Sequence, residues 1–289
     1  MGSLLALLSA AAYGAADFFG GIAARRATTV AAVIVSQAAG VLLLLVALPF
    51  LPSANVSILD LAWGAAAGLA GGSGVALLYH ALAIGPMSVV APVTAVCAAA
   101  IPVAAGVAFG ERLAPVTAAG IVVAAAAIVL IGQERKASVD EGRRGRRPLG
   151  KGAQLALIAG VAIGLFLVCL ERTSADAGLW PLVPARAVSI GLFIVVAAAS
   201  RRPMLVPTPV VRIAVTAGGL DMLANALYLL AVNQGQLSVV APLASLYPAS
   251  TILLARTVLN ERWSRLQIVG IGAAIVATVL IVVGSNPLK

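Results

Sequence analysis

The sequence predicts an all-α integral membrane protein of ten transmembrane helices in two inverted five-helix repeats. Three observations predict it. Of 289 residues, 62% are hydrophobic and 10% charged, and the mean hydropathy is +1.08, which is too little polar surface to coat a water-soluble globule. Breaking the chain at glycine, proline and charge leaves ten apolar stretches of about 18 to 25 residues, roughly what a helix needs to cross about 30 Å of hydrocarbon at about 1.5 Å per residue. Residues 85–92, GPMSVVAP, return 150 positions later as GQLSVVAP at 235–242. Five spans per copy is an odd number, so the second copy must enter the membrane from the opposite side.

The predicted spans are 3–23, 29–49, 60–84, 87–109, 114–132, 153–171, 179–199, 209–232, 237–257 and 264–284. The first has no basic leader and no clear cleavage site, so it reads as a retained helix rather than a signal peptide. It carries Ser9, Tyr13 and Asp17 at i, i+4 and i+8, one polar stripe on an apolar helix. The second offers Ser36 and Gln37. The third sets Gly64, Gly68 and Gly72 four apart and ends on Tyr79 and His80. Small residues at that spacing let helices approach closely in lipid, as do Gly160 and Gly164 in the sixth span and the dense alanines of the fourth and fifth.

The fourth and ninth spans contain the repeat mates Pro92 and Pro242, together with Pro102 and Pro248. Proline removes a backbone hydrogen bond and permits a bend, so Pro92 and Pro242 are candidate hinges, a static kink being the competing reading. The seventh span holds Arg186. The eighth holds Asp221, Asn225 and Tyr228 at i, i+4 and i+7, a second polar stripe, and the ninth adds Ser245 and Tyr247. The repeat gives 1–132 and 152–289 as the two five-helix units. The polar stretch 133–151 between them is rich in arginine and glycine and reads as a flexible linker.

The offset of 150 extends outward from the octapeptide, pairing Gly110-Glu111-Arg112 with Asn260-Glu261-Arg262 and Gly14 with Gly164. These paired turns, the ten spans and the prolines resemble the EamA-type members of the drug/metabolite transporter superfamily over essentially the whole chain. The resemblance implies a basket of helices around a central cavity, alternating access, and movement of amino acids or other small metabolites, often outward. It also implies cytoplasmic termini. The charges of this chain point the other way. Fifteen of the nineteen lysines and arginines fall on the linker side of the predicted topology and three on the side of the termini, which by the positive-inside rule makes the linker cytoplasmic.

Ionisable groups at membrane depth are costly and are functional candidates by default. Asp17 and Asp221 are candidates for proton binding, and Arg186 for holding a substrate carboxylate or exchanging partners with an aspartate. A structural Asp–Arg pair is the alternative. Tyr13, Tyr79, Tyr228 and Tyr247 can stack on a ligand and hydrogen-bond it, with Asn225 and Gln37 as further polar lining. His80 is the sole histidine and, near a span end, reads more readily as an interfacial group. Cys97 and Cys169 lie in apolar stretches and read as packing residues.

No nucleophile with a base, phosphate-cradling glycine loop or metal-spaced cluster is present, so no enzyme, cofactor or metal is expected. The net charge of +9 sits in loops beside membrane segments, where it meets anionic lipid rather than nucleic acid. The function expected is secondary transport of a small metabolite across the inner membrane, as an exporter by alternating access with protons as the candidate coupling ion. An uncoupled facilitative carrier and a lipid-headgroup flippase or accessory membrane subunit are the alternatives. Substrate identity and the choice between monomer and homodimer are left open by the sequence.

Overall fold

The computed structural model describes residues 2–50, 54–108, 114–132, 150–200, 206–234, 244, 246–259 and 265–284. Within them lie ten α-helices: α1 (Gly2–Arg26), α2 (Thr29–Ala47), α3 (Ile58–Ile84), α4 (Met87–Ala108), α5 (Pro115–Gly132), α6 (Lys151–Glu171), α7 (Leu182–Ser200), α8 (Thr208–Gln234), α9 (Tyr247–Leu259) and α10 (Arg265–Gly284). Six of these are long and apolar enough to cross a bilayer. Shorter apolar helical stretches run over Met87–Pro102, Ala118–Ala127 and Ile268–Leu280 among the described residues.

Local chemistry sets the ends. Thr28 caps α2 by accepting from Ala31 N, and Ser57 and Asp60 form a reciprocal capping box that starts α3. Gly85 followed by Pro86 stops α3, because the residue before proline is steered out of the helical region. Pro115 opens α5 at the position where its missing N–H costs nothing. Pro92 and Pro102 lie inside α4. Pro242, the turns at Glu111-Arg112 and Glu261-Arg262, and residues 133–149 of the linker lie outside the described residues.

The most extensive helix pairings recur when the halves are exchanged, the α1–α3 packing being an exception. The α1–α8 pairing has its counterpart in α6–α3, α2–α8 in α7–α3, and α1–α9 in α6–α4, while α2–α7, α4–α9 and α5–α10 map onto themselves. Residues repeat the rule. Gly68 lies against the Ala185 carbonyl and Gly218 against that of Ser36, and Gly14 meets Thr251 where Gly164 meets Ile101.

Direction follows from the same contacts. Along α1 and α3, Gly20 meets Tyr79 and Arg25 reaches the carbonyls of Leu82 and Gly85, so these two helices run parallel. Along α3 and α6, Gly85 meets Gly152, Gly74 meets Ile163 and Asp60 meets Ser174, so these run antiparallel. Helices α1 and α6 are repeat mates and therefore point in opposite directions, which is the predicted inversion.

Small residues carry the packing. Gly64, Gly68 and Gly72 face Pro181, just before α7, and Ala185 and Ser189 on it, residues themselves four apart, and Gly160 and Gly164 face Cys97 and Ile101 of α4. A Cβ on Gly64 or Gly68 would meet backbone carbonyl of the neighbouring helix. These stripes are intramolecular seams of the kind that close approach in lipid requires. Two groups result, α1–α2–α8–α9 and α3–α4–α6–α7, each packed more extensively within itself than against the other.

Candidate functional site

Asp221 is the middle residue of the 27-residue α8, and Gln37 lies one residue from the midpoint of α2. Both therefore sit deep in their helices. Helix α7 brings Arg186 to them. The guanidinium donates to the Gln37 side-chain oxygen and pairs with the Asp221 carboxylate. Arg186 is buried, as are Gln37 and Ser189. The Gln37 amide nitrogen donates to Ser189 Oγ at 2.8 Å, so both ends of the amide are used. By the repeat offset Arg186 is the mate of Ser36, which places this network where the self-mated pair α2–α7 crosses between the two helix groups.

The polar stripes of α1 and α8 meet along their antiparallel seam. Ser9 Oγ donates to the Ala224 carbonyl at 2.8 Å, and Asn225 Nδ2 donates to the Asp221 carbonyl at 2.7 Å. Tyr13 faces Tyr247 edge to face, with ring centroids 6.4 Å apart and planes at 62°. Asp17 is partly buried and makes no hydrogen bond or ion pair among the described residues. It interacts electrostatically with Asp221, with Tyr13 and with Tyr247, so the groups on α1, α8 and α9 share one interior. The Tyr13 and Tyr247 hydroxyls and Asn225 Oδ1 are buried without a hydrogen-bond partner among the described residues. A buried polar atom left unpaired costs about 1 to 3 kcal/mol, so three together mark a place shaped for something besides packing.

The remaining tyrosines fall elsewhere. Tyr79 is 2% exposed; its ring fills the space over Gly20 and its hydroxyl lies 3.5 Å from Ser36 Oγ. Its repeat mate Tyr228 packs with Leu5, Ala6 and Ala231 toward the other end of α1. His80, next to Tyr79, is exposed and 3.3 Å from Thr29 Oγ1, as expected of residues about 100° apart on a helix. Pro248 lies in the first turn of α9, where proline is tolerated.

Two contributors escape a sequence reading. Ser189 completes the Gln37 contact and sits i+3 from Arg186 on one helical face, a spacing that flags it once Arg186 is chosen. Asp60 accepts from Ser57 N and Oγ and from Ser174 N and Oγ, tying α3 to the turn after α6. The S-x-x-D spacing at 57–60 was its signal.

A membrane bundle of inverted repeats around a buried polar interior is the form of a secondary transporter. The sequence matches the EamA-like transporter family over residues 1–133 and again over 150–283, and the chain belongs to that family and so to the drug/metabolite transporter superfamily. None of the curated proteins matches it. A solved crystal structure is similar in fold, with a TM-score of 0.61 and 16% identity, and the match covers 96% of this chain and 95% of that one.

Proposed function

We propose that this chain is a secondary carrier that exports a small metabolite through the polar interior between its two inverted repeats, 1–132 and 152–289. The observation that carries the reading is the contrast between Arg186, bound to both Gln37 of α2 and Asp221 of α8, and Asp17, which has no hydrogen-bond or ion-pair partner among the described residues. Alternating access then moves the group α1–α2–α8–α9 against α3–α4–α6–α7. The Arg186 contacts are the polar lock between them, because Arg186 belongs to one group and both its partners to the other. Asp17 is the residue free to take and release a proton during the cycle, with Tyr13 and Tyr247 beside it. Pro92 and Pro242 are hinge candidates in α4 and in the span that contains α9. Tyr79 and Tyr228 flank this interior from α3 and α8.

Uncoupled facilitation is the second reading, favoured by the Arg186–Asp221 pair, which leaves one interior charge instead of three. Purified protein in liposomes, offered labelled amino acids and amines with and without a pH gradient, separates the two. Accumulation that requires the gradient supports coupling; equilibration independent of it supports facilitation; no flux of any compound contradicts the carrier reading.

The charge bias supports a cytoplasmic linker 133–151 in a protein of the inner membrane. A reporter inserted within residues 137–147 should report a cytoplasmic location, and an outward location would overturn that orientation.

A further inference from the structure

The open groups of the interior are all hydrogen-bond acceptors or can act as acceptors. Asp17 offers a carboxylate, Asn225 an amide oxygen whose NH2 donates to the Asp221 carbonyl, and Tyr13 and Tyr247 offer hydroxyls that can accept or donate. The cationic donor is engaged: the Arg186 guanidinium lies on Gln37 and Asp221, and the Gln37 NH2 donates to Ser189. Charge follows the same division. Arg186 and Asp221 cancel, and Asp17 is left with no cation among the described residues. A substrate carboxylate entering here would meet an uncompensated carboxylate and an arginine already bound.

We propose that the substrate carries a positively charged amine, held by Asp17 together with Tyr13 and Tyr247. A primary ammonium has three N–H donors and no acceptor, which matches the Asp17 carboxylate and the two hydroxyls, and the neighbouring tyrosine rings, 6.4 Å apart, are of the kind that attracts a cation. This rests on the reading of the polar interior as the transport path and narrows its substrate to organic amines.

Equilibrium binding to purified protein in lipid nanodiscs tests it without requiring flux. Radiolabelled phenethylamine is the probe, competed by butylamine, by phenylpropionate as the acid of similar shape, and by phenylpropanol as the neutral one. The amine should bind saturably, and the acid and the alcohol should compete at least about tenfold more weakly, the worth of one charge-assisted hydrogen bond. Asp17→Asn should weaken amine binding at least about tenfold and Tyr247→Phe about fivefold. Tyr247→Phe removes a hydroxyl with no partner, so its melting temperature should not fall. It carries the test if Asp17→Asn fails to fold. No saturable amine binding, equal competition by the acid or the alcohol, or undiminished binding in the folded variants overturns the proposal. Amine binding without liposome flux supports the amine site and contradicts the carrier reading; flux of phenylpropionate without amine binding does the reverse.

Discussion

Removing the Asp221 carboxylate should destabilise the bundle, and removing Arg186 with it should restore most of the loss. In Asp221→Ala the guanidinium, with its side chain 9% exposed, keeps only the Gln37 oxygen. Breaking a buried ion pair from one side costs about 3 to 5 kcal/mol, because the remaining charge is neither solvated nor paired. The retained Gln37 contact places this case at the low end, about 3 kcal/mol, and Arg186→Met should cost a similar amount by leaving Asp221 facing Asp17. In the double variant Arg186→Met/Asp221→Ala both charges go, so no unpaired buried charge is left. It still orphans the Gln37 oxygen, for about 1 to 3 kcal/mol. The double variant should therefore lie within about 2 kcal/mol of the parent rather than at the sum of the single losses, a coupling of at least about 3 kcal/mol across the cycle. Denaturant titration of the reconstituted protein in mixed micelles, followed by circular dichroism, measures all four corners. Additive losses, or an Asp221→Ala loss below about 1 kcal/mol, would refute the view that this pair is desolvated and mutually dependent.

Other outcomes follow from the packing. Gly68→Val should cost about 2 kcal/mol or more in the same titration, since the new side chain meets the Ala185 backbone, which cannot swing aside as a side chain can. Gly219→Ala, whose Cβ points into open space, should be neutral or stabilising by up to about 1 kcal/mol through helix propensity. Asp60→Ala removes the acceptor of four hydrogen bonds and should cost about 2 kcal/mol, with Asp60→Asn recovering part of it; an unchanged midpoint for Asp60→Ala would deny that the cap matters to the fold.

Most of the helical framework is legible in the chain because lipid makes it so. Without water to satisfy backbone groups, an apolar run of sufficient length has no option but a helix, and Gly85–Pro86, Pro115 and the Ser57 cap mark ends by local sterics and hydrogen bonding. The glycine stripes of α3 and α6 are readable for the same reason, since only small residues permit the approach seen against Ala185 and Cys97. The site is legible in one dimension only. Spacing shows that Tyr13 and Asp17 share a face, as do Asp221 and Asn225. That Arg186 reaches Gln37, 149 residues away, is set by the crossing of α2 and α7 and has no local signature beyond the repeat itself. Tyr79 illustrates the converse: it shares the polar-aromatic character of Tyr13 and Tyr247, yet its partner is Gly20, a contact fixed by how α3 lies along α1.

Asp17, unpaired among the described residues, is the charge on which the proposed cycle depends. The most direct measurement of that dependence is gradient-driven flux in proteoliposomes of the parent protein and Asp17→Asn, with reconstitution matched by protein content and folding checked by melting temperature. The parent should move an amine against its concentration when a pH gradient is imposed, and Asp17→Asn should not. Equal gradient-driven flux by the folded variant would contradict that dependence.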